Sequence, residues 1–441
     1  MIHSHHSLWR ATKQQTRDPA LFCSMGRLQP RLCPSRCRVM RDLLQTRVRV
    51  ALPAMIAIQS FGTMCGFAGA VVAVQAAQDL GVKSTYIGIY TATLYVVAMI
   101  SGLGAGVFLA RFGAIRTSQF ALLSAVLGLW IGGAGSSWPT ALIAAVLIGL
   151  GQGPQNPAGS RVLARHTPSH WRPLVFSIKQ TGTPMGGMLA GVFLPPLMAL
   201  FDWRFAIATI AFLPFLTMIA VQGCRPDLDD DRDPGQKITL SGIAESLLVI
   251  FRNKALLGLT MAGLIYTFVQ MAIISFTVIF FEEEHGHTTK FAGGVFAIIH
   301  ASAIPARVFW GAIAGRFVRT WTLLGMIGII MAASIVAIAG YSPSWSFWLT
   351  AVVAVALGAS INGVLGLLLS EFARLAPENK VGETTGGAQF FLFLGIVTGP
   401  PVFGAIVEFG GGYENAFLLI AAASLLAGMG LLLTARQSGS I

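Results

Sequence analysis

Residues 255–281, "ALLGLTMAGLIYTFVQMAIISFTVIFF", carry no charge over a stretch long enough to cross a hydrocarbon core of about 30 Å. Blocks of this kind recur from residue 50 to residue 434, and no other feature constrains the fold as strongly. Backbone polar groups inside lipid must bond within the protein, which leaves helices or closed barrels. The period-two alternation of a membrane barrel strand is absent. The chain therefore reads as an all-α integral membrane protein. Only 11% of its 441 residues are charged and 54% are hydrophobic, too few charges to cover a soluble domain of this length.

Twelve spans are predicted, over roughly 50–77, 85–110, 117–137, 139–163, 173–200, 203–222, 255–281, 291–315, 321–341, 346–370, 384–407 and 414–434. An even number puts both termini on one side. The 30 Lys and Arg divide unevenly between the two sides. The N-terminal segment, the loops after the even-numbered spans and the C-terminus hold all but a few. Lys83, Arg204 and Lys290 fall on the opposite side, and Lys179 and Arg307 lie within spans. By the positive-inside rule both termini are cytoplasmic, in a bacterial-type inner membrane. The net charge of +12 is thus a topology signal and makes no case for nucleic acid.

The first forty residues differ from the rest. They hold His3, His5, His6, Cys23, Cys33 and Cys37 among many basic residues. The spacing is poor for a zinc site, and no apolar core suits a signal peptide. Residues 1–45 read as a disordered basic segment, or as a start placed too early, since "MRDLLQTRVRVALPAMIAIQ" from Met40 runs straight into the first span. Residues 1–39 are expected to be dispensable. The five cysteines, with Cys65 and Cys224, form no disulfide framework.

The chain also repeats itself. "GVFLAR" at 106–111 after the second span matches "GAIAGR" at 311–316 after the eighth, about 205 residues on. "KQTG" at 179–182 aligns with "ETTG" at 383–386, Pro196 with Pro400, and Asn156 with Asn362 at nearly the same offset. A constant offset over distant motifs indicates duplication of a six-helix unit. The halves are predicted as 46–222 and 255–436, joined by a linker at 223–254 that carries "RPDLDDDRDPG" and a surface stretch at Lys237–Arg252.

With six plus six spans, a central cytoplasmic loop, and the glycine–arginine loops Gly106–Arg111–Gly113–Arg116 and Gly311–Arg316, the chain resembles the major facilitator superfamily of secondary transporters over roughly residues 45–436. The departures carry information. The family's loop after span two reads Gly-x-x-x-Asp-Arg-x-Gly-Arg/Lys; here Ala110 stands for the Asp and Ala114 for the last basic residue. The span-four motif Arg-x-x-Gln-Gly survives as Gly149-Leu150-Gly151-Gln152-Gly153, without its arginine. The Gly-Pro-rich motif of drug–proton antiporters is only echoed at 182–187. These gaps argue against a proton-coupled drug exporter. With the loop Asp replaced, Glu383 at the start of span eleven is expected to close the cytoplasmic gate by pairing with Arg111 or Arg116.

The resemblance implies that spans 1, 4, 7 and 10 line a central cavity. Their polar residues are Gln59, Thr63, Gln152, Asn156, Tyr266, Gln270 and Asn362. Each can contact substrate or bond helix to helix. Charges at membrane depth are rare and usually face a cavity or a partner. Lys179 lies about 12 Å along its helix from Trp171, and Arg307 about 14 Å from Arg316. One span leaves the basic side and the other returns to it, so both cations sit at one depth. The resemblance makes spans five and eight neighbours, and Arg307 is similar in place to the span-eight arginine of monocarboxylate and oxalate–formate transporters. Snorkelling to headgroups is the competing reading for both. His300 shares a helical face with Arg307 and joins the candidates; its competing reading is a bond to a neighbouring helix.

No Asp or Glu lies at mid-membrane, and "EEEHGH" at 282–287 reads as an acidic external loop rather than a metal site. No nucleotide-binding loop is present, and no His/Asp/Glu cluster within the spans suggests an enzyme. The expected protein is a monomeric transporter without cofactor or metal. It moves a small organic anion, such as a carboxylate, through the bilayer by alternating access, as a symporter or antiporter with a coupling proton or ion. Export of a neutral or cationic drug or metabolite is the alternative within transport. A non-transporting membrane sensor is the alternative outside it.

Overall fold

The computed structural model describes residues 47–168, 172–229, 243–377 and 381–437. The N-terminal segment, with its histidines, Cys23, Cys33, Cys37 and Met40, lies outside the described residues, as do residues 230–242 of the linker. Among the described residues the structure is helical throughout, apart from one isolated bridge between Ala314 and Val318.

The first four spans are Val48–Asp79, Ile87–Phe112, Ala114–Ala134 and Trp138–His166. The fifth is two helices, Arg172–Gln180 and Gly182–Leu200. The sixth is also divided, into Trp203–Ile210 and Phe212–Ala220. The C-terminal half contains Lys254–Ile279, Thr289–Ile313, Thr320–Ala339, Phe347–Leu375, Val381–Phe409 and Gly412–Gln437. Eleven of these segments are long and apolar enough to cross a membrane. The span that fails on composition is the fourth. It has the length, at 29 residues, but carries Gln152, Gln155, Asn156, Arg161 and Arg165. A helix this polar stays in a membrane only if its polar face meets protein or water.

Helix pairings repeat between the halves. Span one packs on span five as seven does on eleven, two on four as eight on ten, and three on six as nine on twelve. The duplication read from the offset motifs is therefore also a repeat of contacts. Across the halves, five packs on eight and two on eleven. The linker helix Ile243–Arg252 lies along span eleven, where Phe251 meets Phe391 edge-on at 5.8 Å.

The seam between the halves is closed at the face that carries Lys83. Lys83 pairs with Glu408, and the Ser84 hydroxyl donates to Glu283 Oε2 at 2.5 Å. Deeper in, Ser275 donates to Thr91 at 3.3 Å, and Gly88 packs on the Pro400 backbone. Toward the opposite, basic face the contact fades. Gly311 of span eight and Gly386 of span eleven have no neighbouring atom within 4 Å of the side a side chain would occupy.

Candidate functional site

The break in span five builds the site. Pro184 has no N–H, so the Gln180 carbonyl loses its intrahelical partner. The Thr181 N–H turns back to Ile178 O at 3.1 Å, and a new helix begins at Gly182 with Pro184 in its first turn, where proline is tolerated. The freed Gln180 carbonyl accepts from Arg307 Nη1, across the seam, at 2.5 Å. Arg307 Nε donates to Asn362 O of span ten at 3.2 Å. The Asn362 side chain in turn accepts from Gln270 Nε2 of span seven at 2.9 Å.

Lys179, one residue before Gln180, is only 1% exposed. Its Nζ bonds the Asn156 side-chain oxygen and reaches Asn156 O and Gln180 Oε1, each at 3.4 Å. Gly159, one turn beyond Asn156, leaves room for the lysine stem. Asn156 itself is exposed at membrane depth, so the ammonium is one side chain away from open space. Snorkelling does not describe either cation, because both are held by groups within the spans.

Sequence-predicted residues thus converge from five helices. Asn156, Lys179, Gln270, Arg307 and Asn362 form one polar belt, joined through Gln180. Gln59 lies beside it and donates to Thr183 at 2.9 Å, while its Oε1 is buried without a partner. Gln152 donates to Gly62 O at 3.1 Å, tying span four to span one, and Thr63 is buried against Gly186. Tyr266 is not in the belt. It is fully buried and its hydroxyl donates to Leu324 O of span nine at 3.0 Å, so it holds the C-terminal half together. His300 also stands apart. Its ring is fully buried between Phe67 and Phe296 and fills the notch at Gly187 of span five. Nδ1 meets Phe296 O at 3.0 Å and Nε2 has no partner.

Gln155, Gln180 and Thr183 were not among the sequence candidates. Gln155 is 3% exposed, with both amide atoms unpartnered beside Gly62. The spacing Gln152–Gln155–Asn156 marks one helical face and could have shown it. At the loop after span two, Arg111 stacks over Phe112 at 5.7 Å and Arg116 Nη1 donates to Gln119 at 3.2 Å. The side chain of Glu383, the partner expected for either, lies outside the described residues.

A carboxylate does reach the loop after span two, from an unexpected place. Asp229 of the linker accepts from the N–H groups of Ile115 and Arg116, at 2.7 and 3.1 Å, and so caps span three. Gly113 has φ +89, and a Cβ there would overlap the Asp229 carboxyl. Burial pushes this carboxyl above its ordinary range, against the pull of the backbone bonds and of Arg225 at 3.8 Å.

Residues 56–391 match the family description "Major Facilitator Superfamily". The chain belongs to this superfamily. A hexuronate transporter of Bacillus subtilis (strain 168) is 21% identical over 381 residues, 80% of this chain and 86% of that protein. The fold matches a bacterial homologue of the human lysosomal transporter Spinster, solved inward-facing and occupied, with TM-score 0.70 and 15% identity over 88% of this chain and 97% of that one. It also matches a POT family transporter in complex with 5-aminolevulinic acid, with TM-score 0.70 and 13% identity over 89% and 96%. As a superfamily transporter, the chain binds small molecules within the membrane. Its polar belt sits where the two halves meet, and among the described residues the two cations there bond only to neutral acceptors.

Proposed function

We propose that this transporter moves a small organic anion, of the carboxylate class, by alternating access. The observation that carries the reading is the pair Lys179 and Arg307, on opposite halves, with amide and carbonyl oxygens as their only partners among the described residues. A buried cation without a counter-charge costs several kcal/mol. An anion between the two would supply that charge and draw the halves together, which couples binding to the rocking motion. Arginine offers a carboxylate a planar fork, and lysine a compact charge. The amides of Asn156, Gln270 and Gln59 surround them with donors and acceptors suited to hydroxyl groups. The hexuronate transporter relative supports this chemistry, since a hexuronate is a hydroxylated carboxylate.

The positive-inside distribution supports a bacterial inner membrane with both termini in the cytoplasm, so the closed Lys83 face is external and the site opens inward. The protein acts as a monomer, without a visible mid-span carboxylate to carry a coupling proton. The test is titration of the purified protein with glucuronate and galacturonate, against glucose as the uncharged control, followed by uptake into vesicles. Binding of the acids and not of glucose is expected, lost in both Lys179→Gln and Arg307→Gln. Binding of only neutral or cationic compounds, or undiminished acid binding in both variants, overturns the reading and leaves the two cations as gate residues.

A further inference from the structure

The two halves differ at one pair of equivalent places. In the N-terminal half, the first N–H groups of span three are capped by Asp229, and Leu228 beside it is buried at 2% exposure. The chain thus supplies an anion and an apolar side chain to that helix end. The repeat carries Ile115 and Arg116 onto Thr320 and Trp321 at the start of span nine. There, Arg319 precedes the helix and no side chain caps it. Among the described residues nothing accepts from the Thr320 and Trp321 N–H groups, and span twelve continues as helix through Gln437, where span six had given way to the Asp229 segment.

A cavity of about 850 Å³ opens at this helix end. That is within the roughly 300–1,000 Å³ of ligand sites. Its rim holds Lys254 and Arg319, both exposed and without a partner among the described residues. The third basic group, Arg374, is paired with Glu371 at 2.7 Å, and Trp321 Nε1 also donates to that carboxylate, so Glu371 is neutralised. Two positive charges and the positive end of the span-nine helix therefore face one opening. The inner walls are apolar, with Met261 and Ile265 of span seven facing Leu431 of span twelve. Gly258 and Gly430 meet nothing within 4 Å, so the two helices stay apart here. Leaving the apolar walls of such an open cleft to water is unfavourable, and the cavity lies at the basic ends of the spans, where lipid headgroups are at hand.

We propose that this cavity binds one anionic phospholipid, its phosphate at the start of span nine between Arg319 and Lys254, and its chains along spans seven and twelve. The lipid stands where Asp229 and Leu228 stand in the other half, an anion joined to an apolar tail. It fastens spans seven, nine and twelve at the end where the chain itself provides no cap.

The experiment measures retention of phosphatidylglycerol by the full-length protein in detergent, by native mass spectrometry and by the shift in melting temperature, with phosphatidylcholine and inorganic phosphate as probes of the two simpler possibilities. Phosphatidylglycerol should be retained and should raise the melting temperature, and phosphatidylcholine should do neither. Arg319→Gln and Lys254→Gln should each weaken retention about fivefold, the effect of removing one basic group near a charged headgroup. Lys290→Gln on the opposite face should leave it unchanged. Gly430→Leu, which alters no charge, should exclude the lipid by filling the cavity, and keeps the test open if Arg319→Gln fails to fold. Equal retention of phosphatidylcholine overturns the proposal, as does retention unchanged in the Arg319, Lys254 and Gly430 variants. So does Arg319-dependent competition by inorganic phosphate, which would make the ligand a soluble anion. Glucuronate binding at the Lys179 belt is read separately and does not enter this result.

Discussion

Pro184 has no backbone N–H to donate, and that missing donor decides where Arg307 goes. A continuous helix would have used the Gln180 carbonyl internally, and Arg307 would have had one acceptor fewer across the seam. Replacing Pro184 by alanine restores a donor for that carbonyl. Pro184→Ala is therefore expected to leave folding intact, or to raise the melting temperature slightly, while slowing uptake, because the arginine is released from span five. Unaltered uptake at normal stability would show that the bond to Gln180 has no part in transport. Arg307→Lys tests a different property of the same residue. It keeps the charge but has no planar fork, and Nε and Nη1 now serve two separate acceptors on spans ten and five. A loss of anion affinity of about tenfold or more is expected from titration, since charge-assisted bonds are worth roughly 1.5–3 kcal/mol each. Equal affinity in Arg307→Lys would reduce the arginine to a point charge.

At the scale of elements, the loop between spans two and three shows what a sequence does and does not expose. The loss of the family's Asp at position 110 was legible, and so was the need for another carboxylate nearby. Glu383 was the natural choice by position, at the start of span eleven. Among the described residues Asp229 reaches this loop, and there it accepts from backbone N–H groups rather than from Arg111 or Arg116 side chains, while the Glu383 side chain lies outside the described residues. Nothing in "RPDLDDDRDPG" distinguishes one Asp from another, because the cap depends on how the sixth span ends, through Val221–Cys224 and Arg225–Leu228. Spans, repeat and buried cations were readable because each follows from hydropathy, spacing or the cost of burying charge. Bonds such as Gln270 to Asn362, and the exclusion of Tyr266 from the belt, depend on helix rotation, which a sequence of near-uniform apolarity leaves unspecified. The cap itself is open to measurement. Asp229→Ala should destabilise the protein by about 1 kcal/mol in a denaturant or thermal series. Gly113→Ala should cost at least as much, since φ +89 is strained for alanine and its Cβ meets the same carboxyl. A double variant no worse than the more damaging single one would show that both act through one contact. Full additivity would separate them.

For the whole molecule, the question is what holds the Lys83 face shut. The ion pair between Lys83 and Glu408 is the visible latch, but Lys83 is 65% exposed and Glu408 27%. Such pairs contribute about 1 kcal/mol or less. The closer contact lies deeper, where spans five and eight approach at Gly191 and Gly293. A Cβ on Gly191 would stand 2.6 Å from the Gly293 carbonyl oxygen, and Pro195 packs on Gly293 one turn further out. That fit needs the small residue and exists only while this face is closed, so it favours the closed form by packing over a whole helix pair rather than by one charge. A transporter that alternates must nevertheless be able to leave it, and a seam without strong ion pairs keeps the two forms within a few kcal/mol. Lys83→Gln should then change the balance little. Gly191→Leu should force the halves apart at this end and populate the form open on the Lys83 face. Spin labels at Gln78 and Glu284, one on each half, would report the change as a longer distance in Gly191→Leu and a nearly unchanged one in Lys83→Gln. The reverse order would place control of the gate in the ion pair. An unchanged distance in both would mean that neither contact governs which face is open.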